Sequence, residues 1–339
     1  MAERHSPDPG SGPSSREETR TPTEPTDMSA SSWGSSLRRT FSEFSKDGLS
    51  DLAAGLTYYA ILSIFPALLV LLSLLGLAGP AATRILTENA SAAMPAQAGE
   101  LLTTVIENLQ GNQAAAGVFG IISLAVALWS ASGYIAAFMR ASNVVYDVPE
   151  GRPIWKTLPI RVGVTLLMVV LLTVTVVAVT VTGGVAEWFG NLLGLGPTVV
   201  TVWSIAKWPV VLLIVVFMIA LLYWASPNAE RGFRWVSPGS VLAIVLWLLA
   251  SAAFAFYVAN FASYSRTYGS MATVVVFLVW LWISNIAILL GEEFNSEIER
   301  GRAISGGQPA DEEPYVELRD EPKKKHRRSG SKHKEEQRE

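Results

Sequence analysis

Long apolar runs alternate with short polar stretches along most of the chain. Six runs are long enough to cross about 30 Å of hydrocarbon at a rise of 1.5 Å per helical residue. None of the six contains Asp, Glu, Lys or Arg. A charge at the bilayer centre costs at least about 2.5–3.5 kcal/mol, which explains this segregation. The runs are residues 53–78, 115–139, 162–186, 208–225, 236–262 and 270–291.

The length of the runs decides the fold class. Membrane β-barrels are built from segments of about ten residues with alternating polarity, and no such series appears here. We therefore predict an all-α, polytopic integral membrane bundle of about six transmembrane helices with disordered tails. A hydrophobic content of 50% against only 16% charged residues agrees with that prediction.

The segments outside the apolar runs define three regions. Residues 1–36 are rich in Ser, Pro, Thr and Glu and are predicted to be a disordered tail, with 37–302 as the six-helix membrane domain and 303–339 as a disordered, charged C-terminal tail. Within the membrane domain, residues 37–52 carry apolar side chains at helical spacing among charges, which predicts an amphipathic helix on the membrane surface. A plain juxtamembrane linker is the alternative.

Positive charge indicates the orientation. With six spans, 23 of the 26 Lys and Arg residues fall on one side, and only Arg84, Lys207 and Arg266 fall on the other. The positive-inside rule then places both termini in the cytoplasm. The formal net charge of −3 says little, because it sums two charged tails and a neutral membrane core.

The inventory of catalytic side chains is thin. The chain has no cysteine, and its histidines, His5, His326 and His333, all lie in the tails. A hydrolytic metal site needs several ligands held rigidly together, and a serine nucleophile needs a base beside it. No phosphate-binding glycine motif is present either. We expect no catalytic residue, metal site or cofactor, and therefore no enzyme.

The C-terminal tail carries a basic cluster made up of Lys323, Lys324, Lys325, Arg327 and Arg328. Without interleaved aromatic residues or a folded platform, this cluster does not predict a specific nucleic-acid site. Contact with anionic lipid headgroups is one interpretation, and a solvated tail is the other. Membrane lipids are the expected partners, and the sequence is compatible with a homo-oligomer.

Polar side chains near or within the spans are the remaining candidates for function. In the first span Tyr58, Tyr59 and Ser63 precede Pro66, whose kink would free a backbone carbonyl to line a pathway. The alternative is a packing kink that a neighbouring helix satisfies. Tyr268 and Gly269 are predicted to lie in a tight external turn before the last span.

The last span carries Asn285 and is followed by Glu292, Glu293 and Asn295. Ionisable residues inside membranes are functional by default, whereas those at a boundary are not. The two acids are therefore either a site for a proton or cation, or markers of the point where the helix leaves the membrane.

Two stretches resemble the YihY/BrkB family of bacterial inner-membrane proteins. One is DLAAGLTYYAILSIFPALLVLLSLLG, and the other runs from Tyr257 through NFASYSRTYGSMATVVVFLVWLWISNIAILLGEEFNSEIER. The likeness extends over residues 40–302, and GEEFNSE matches the family's G-x-E-x-N-x-E pattern. The resemblance implies a six-helix protein of the bacterial cytoplasmic membrane with a role in envelope integrity, virulence or transport. Members have also carried the label ribonuclease BN, for a tRNA-processing activity.

Three functions are therefore compared. The leading hypothesis is a transporter- or permease-like protein for a lipid or small solute. The alternative is a non-transporting envelope scaffold or interaction protein. A tRNA-processing ribonuclease is a distant third, because the chain lacks a histidine-rich metal motif.

Overall fold

The computed structural model describes residues 30–77, 118–180, 198–260 and 270–322. All regular structure in these ranges is α-helical, apart from a single isolated β-bridge. The helices are α1 (Ala30–Lys46), α2 (Leu49–Leu77), α3 (Val118–Ala131), α4 (Gly133–Val145), α5 (Ile154–Thr180), α6 (Thr198–Ala225), α7 (Pro238–Asn260) and α8 (Ser270–Ser305).

Four of these helices contain stretches that are long and apolar enough to cross a membrane. The stretches are Ile154–Val176, Val202–Ala225, Pro238–Ala259 and Val274–Ser305. A shorter apolar stretch, Leu49–Ile64, belongs to α2. The all-α membrane bundle is therefore confirmed, whereas the count of about six spans stays a prediction.

Helix boundaries differ from the predicted spans in two places. The second predicted span, 115–139, corresponds to two helices, α3 and α4, which are separated at Ser132. The fourth, 208–225, is longer than predicted, because α6 begins at Thr198. Lys207 therefore lies inside a helix and is buried, with its ammonium group 5.6 Å from the centre of the Trp208 ring. Its cationic side chain had marked it as a loop residue.

Helix α1 packs on the C-terminal part of α8. Its first residue differs from the predicted N-terminal boundary of the membrane domain, residue 37. It begins at Ala30, within the segment 1–36 that was predicted to be disordered, and it ends before a turn at Gly48. The rings of Trp33 and Phe294 lie 5.9 Å apart, and Thr40 is buried. About a quarter turn away Phe41 is 58% exposed, an apolar side chain that an amphipathic helix at a membrane surface would place against lipid.

Helices α7 and α8 make the most extensive helix–helix contact of the described residues. Their backbones approach at Gly239 and Gly291, where neither residue has room for a Cβ atom. Small residues at such crossings allow membrane helices to pack by close van der Waals contact, because lipid provides no hydrophobic driving force between them. The glycine pair therefore fixes the last two helices against each other.

One end of the bundle, called the polar end below, carries α1, the α4–α5 loop, the α6–α7 loop and the start of the C-terminal tail. Asn228, fully buried, joins three of these segments. Its backbone N–H donates to Asn143 Oδ1 at 2.8 Å, and its side-chain amide donates to the carbonyls of Pro149 and Asp320, both at 2.9 Å. The loops are thus tied together by one amide side chain.

Arg152 stabilises the same end from inside. Its guanidinium donates to the carbonyls of Ala225, Ser226 and Pro227, at 3.4, 2.7 and 3.3 Å, where α6 ends. It also forms a salt bridge with Glu150 at 2.7 Å. A cation at a helix C-terminus interacts favourably with the helix dipole and supplies donors for the last carbonyls.

Residues 314–321, named the strap below, run back across the polar end. Glu230 N–H donates to the Glu317 carbonyl at 2.7 Å, and Arg319 N–H donates to the Asn228 carbonyl at 3.2 Å. Lys156 pairs with Asp320 at 2.5 Å. The C-terminal tail predicted as disordered from residue 303 is therefore structured as far as the description reaches. The basic cluster at 323–328 lies outside the described residues.

Candidate functional site: buried carboxylates at the polar end

Two adjacent carboxylates of α8 are buried at the polar end. Glu292 is 0% exposed and Glu293 is 2% exposed. Glu292 Oε2 accepts a hydrogen bond from the Ser142 hydroxyl at 3.0 Å. In the part of the chain that the structure describes, Glu292 Oε1 and Glu293 Oε2 have no hydrogen-bond partner. Buried polar groups almost always have partners, so these two oxygens need an explanation.

The two acids face different surroundings, because successive side chains on a helix point about 100° apart. Glu292 faces α4 through Ser142 and interacts electrostatically with Arg231. Glu293 lines a cavity of about 10 Å³ between α8, the α1–α2 turn and the strap. A space of that size holds about one water molecule.

The cavity is strongly acidic. Its carboxylates are Glu43, Asp47, Asp147, Glu293 and Glu297. Two arginines offset part of this charge: Arg39 bonds to Glu297 at 2.5 Å, and Arg300 lies 3.4 Å from Glu297 and 3.6 Å from Glu43.

The two aspartates of the cavity wall respond to this environment. Burial raises the pKa of Asp47 to about 6, and the neighbouring Asp147 and Glu43 carboxylates add to the effect. Burial likewise raises the pKa of Asp147, with a further contribution from Glu313. Both aspartates lie in loops outside the membrane-spanning segments, so the polar end contains acids that take up protons more readily than usual.

Deeper in the bundle, Asn285 is buried and connects three helices. It accepts a hydrogen bond from the Tyr134 hydroxyl at 2.9 Å and donates one to Thr57 Oγ1 at 3.1 Å. The Thr57 hydroxyl in turn donates to the Ala53 carbonyl at 2.8 Å. These groups satisfy one another, as polar residues that hold membrane helices together do.

Asn295 has a structural role at the start of α7. Its Oδ1 accepts from Gly239 N–H at 2.8 Å, and its amide donates to Ser237 Oγ at 2.9 Å. Ser237 and Ser240 also exchange hydrogen bonds, with Ser240 N–H donating to Ser237 Oγ at 3.1 Å. Asn295 thus helps to cap a neighbouring helix, because the first N–H groups of a helix lack intrahelical partners.

The candidates of the first span do not meet the acids. Tyr58 is 61% exposed on the outside of the bundle, whereas Tyr59 is half-buried with the Arg140 guanidinium 5.3 Å from its ring centre. Ser63 is buried, and its hydroxyl has no partner among the described residues. Pro66 lies within α2, which continues to Leu77. Tyr268 and Gly269 lie outside the described residues.

Sequence reasoning selected Glu292 and Glu293 but missed their surroundings. In the sequence Asp47 and Asp147 look like ordinary loop acids, and Ser142 looks like a serine that packs between helices. The positive φ of 50° at Asp147 was not foreseeable, although Asp tolerates this conformation better than most residues. Within the described ranges, no group of three His, Cys, Asp or Glu residues is arranged to hold a metal ion.

Comparison with known proteins places this arrangement in a family. The profile of the family described as "Virulence factor BrkB" matches residues 40–314. A Bacillus subtilis protein named YfkH and described as ribonuclease-like is 30% identical over 280 residues, covering 82% of this chain and 98% of that protein.

Two further relatives carry the description UPF0761 membrane protein. The protein of Alkalilimnicola ehrlichii is 30% identical over 79% of this chain, which spans 60% of that relative's length. The protein of Pseudoalteromonas atlantica is 26% identical over 75% of this chain and 82% of its own length. No solved structure matches this chain. The described ranges contain four apolar helices of membrane-spanning length, and the family profile matches most of the chain. The chain is therefore a membrane protein that belongs to the BrkB virulence-factor family.

Proposed function

We propose that this protein is a transporter- or permease-like protein of the bacterial cytoplasmic membrane that handles a lipid or small solute. One observation carries the proposal: Glu292 and Glu293 are buried side by side in a membrane bundle, each with an oxygen that no described group satisfies. Keeping such groups is costly, and in membrane proteins ionisable residues of this kind mark substrate or ion pathways. Both termini are proposed to be cytoplasmic on the distribution of positive charge.

Phospholipid movement in proteoliposomes tests this proposal directly. The full-length protein is reconstituted with a fluorescently labelled phosphatidylglycerol, and accessibility of the label to an external quencher is followed over time. We expect faster movement with the wild type than with empty vesicles, and loss of that gain in Glu292→Gln and Glu293→Gln. Glu299→Gln is the matched control, because Glu299 lies on the same helix in a salt bridge with Arg302.

A small-solute cargo requires a second measurement. Lipids and metabolites are compared without preselection in membranes and cells with and without the protein, and with the Glu293→Gln variant. If loss of the protein raises or lowers the level of one class of lipid or metabolite, and Glu293→Gln causes the same change, the result supports transport. Unchanged lipid and metabolite levels, together with unchanged phospholipid movement, would contradict it.

The alternative is a non-transporting envelope scaffold. It is favoured by the contacts among Thr57, Tyr134 and Asn285, which satisfy one another in the bundle interior as structural groups do. A scaffold predicts stable partner proteins that co-purify with the wild type and an unchanged phenotype for Glu293→Gln. The two functions therefore differ in their response to one carboxylate.

We also propose that the protein is not an enzyme. The description of YfkH as ribonuclease-like belongs to that relative. The histidines of this chain, His5, His326 and His333, lie outside the described residues, so the argument rests on the sequence. Metal-dependent cleavage of tRNA by the purified protein would contradict this part of the proposal.

A further inference from the structure

The acidic cavity at the polar end has more negative charge than its cations offset. Glu297 is paired with Arg39 and Arg300, and Glu43 is paired with Lys46 and Arg300. By contrast, Asp47, Asp147 and Glu293 have no cationic nitrogen within salt-bridge distance among the described residues.

Glu293 is the least exposed of these three acids. At 2% exposure it is removed from solvent. Its side chain lines the cavity, and its Oε2 has no hydrogen-bond partner among the described residues. A buried carboxylate is stable only when a cation or a proton neutralises it. The cavity has room for one water-sized occupant beside it.

The arrangement of the acids favours a proton as the neutralising partner. Divalent metals need several oxygen ligands at about 2–2.6 Å, and no three acidic groups of the described residues are placed to supply them. A proton needs only one oxygen. The pKa of Asp47, raised by burial to about 6, is consistent with this, because the same cavity wall then takes up a proton in mildly acidic solution.

We propose that Glu293 is a proton-binding site, reached from the polar end through Asp47 and Asp147 and covered by Tyr315 and Val316 of the strap. The inference rests on the proposed function and names the proton as its coupling ion. On binding, a hydronium ion in the cavity transfers one proton to Glu293 Oε2, which forms an O–H bond and leaves a water molecule. Release returns the proton to water.

Charged and titratable groups from every packed element act on this site. The α1 helix and the following turn contribute Glu43 and Asp47, and the α4–α5 loop contributes Asp147. Helix α8 itself adds Glu297 and Arg300, and Tyr146 and Tyr315 complete the wall. The acids favour the protonated form of Glu293 and Arg300 opposes it, so removing one acid should weaken proton binding.

Infrared difference spectroscopy on the purified full-length protein in lipid nanodiscs measures this binding. Spectra are recorded between about pH 5 and pH 9, which brackets the titration of buried carboxylates. We expect a carbonyl-stretch band of a protonated carboxylic acid that disappears as the pH rises and is absent in Glu293→Gln. Asp47→Asn should shift its midpoint to lower pH by about one unit, a tenfold weaker affinity for the proton.

Controls separate Glu293 from its neighbours. Glu292→Gln and Glu299→Gln should keep the band, since neither side chain lines the cavity. A wild-type protein without the band would overturn the inference even if Glu293→Gln fails to fold. Because Asp47 also takes up a proton in this range, the Glu293 band is the difference between the wild-type and Glu293→Gln spectra. Identical titrating bands in the two proteins would also overturn the inference. A band that Na⁺ or Mg²⁺ abolishes at constant pH would identify a metal-cation site and overturn the assignment to a proton.

The infrared result is independent of any transported cargo. If the band is present and titrates as expected while Glu293→Gln leaves phospholipid and metabolite measurements unchanged, the transport proposal fails and the proton site stands. If the band is missing while transport is lost in Glu293→Gln, the proton site fails and the transport proposal stands.

Discussion

Gly239 and Gly291 face each other where α7 crosses α8, and each lies against the backbone carbonyl of the other. A Cβ at Gly291 would also lie 2.6 Å from the Ala243 Cβ and 2.7 Å from the Tyr223 hydroxyl. Glu292 follows Gly291 directly, so the tightest approach of the two helices adjoins the buried acids. The position of the acids therefore depends on the absence of a side chain at these two glycines.

Replacing Gly291 by Ala should destabilise the protein. Overpacking of a filled interior costs typically about 1–3 kcal/mol, and here the obstacles include backbone, which cannot move aside as a side chain can. Thermal unfolding in detergent should show a lower midpoint for Gly291→Ala. Gly163→Ala is the matched control, because Gly163 is helical and a Cβ there meets nothing within 4 Å. An unchanged midpoint for Gly291→Ala would contradict the close approach.

Arg152→Met should be among the most destabilising single changes at the polar end. It leaves the carbonyls at the end of α6 without donors, and an unsatisfied buried acceptor costs about 1–3 kcal/mol. The loss of the cation beside Glu150 adds less, because that carboxylate is 38% exposed. Lys156→Met removes an exposed pair with Asp320 and should cost at most about 1 kcal/mol. Equal losses of thermal stability in the two variants would contradict the structural role of Arg152.

Asn228→Ala should loosen the strap without unfolding the membrane helices. The substitution removes the amide bonds to Pro149 and Asp320. Hydrogen exchange measured by mass spectrometry should become faster in residues 314–321 and stay unchanged in α7. Gly151→Ala tests the same contact by another route, because a Cβ at Gly151 would overlap the Asp320 carbonyl. Unchanged exchange in both variants would show that the strap is held elsewhere.

Asp47 should make stability depend on pH. Its pKa rises from 3.8 to about 6 on folding, so the folded state binds the proton more tightly than the unfolded state. The contribution of Asp47 to the free energy of unfolding is therefore expected to fall as the pH rises from about 4 to about 6. Above about pH 6 this contribution no longer changes. Asp47→Asn should flatten this part of the unfolding profile. A slope of the same size in the variant would assign the effect to another group.

Asn285→Leu should cost little, although Asn285 lies at the centre of three helices. Interhelical hydrogen bonds in membranes average about 0.6 kcal/mol, with a maximum near 1.7. A double-mutant cycle with Thr57→Ala should give a coupling in that range, since the two side chains are bonded at 3.1 Å. Additive effects would show that the bond contributes nothing to stability.

The sequence predicted the membrane helices better than it predicted their ends. The apolar run at 270–291 identified the membrane part of α8, but the charges from Glu292 onward indicated an exit where the helix in fact continues to Ser305. Helical continuation depends on α1, whose Arg39 pairs with Glu297 across 258 positions of sequence. A contact of that separation leaves no periodic signal in either segment.

The candidate site was predictable in part for the same reason. Adjacent acids after an apolar run stand out, so Glu292 and Glu293 were found from sequence alone. Asp47 and Asp147 each lie in a segment that looks like an ordinary turn in sequence. Only the fold brings them together at the cavity. The strap has only two aliphatic side chains, Val316 and Leu318, which pack against the core, and its backbone is held by partners such as Asn228 that lie in another loop.

Helix α8 is unbroken over 36 residues, about 54 Å at the usual rise, which is nearly twice the hydrocarbon thickness. Asn285, Glu293 and Glu297 are therefore fixed on one rigid rod. Rotation or sliding of that rod in the bilayer would strain the Asn285–Tyr134 hydrogen bond and the Glu297–Arg39 salt bridge in the same movement. A movement of α8 inside the membrane is therefore transmitted directly to its contacts with α1, because this helix has no break between Asn285 and Glu297.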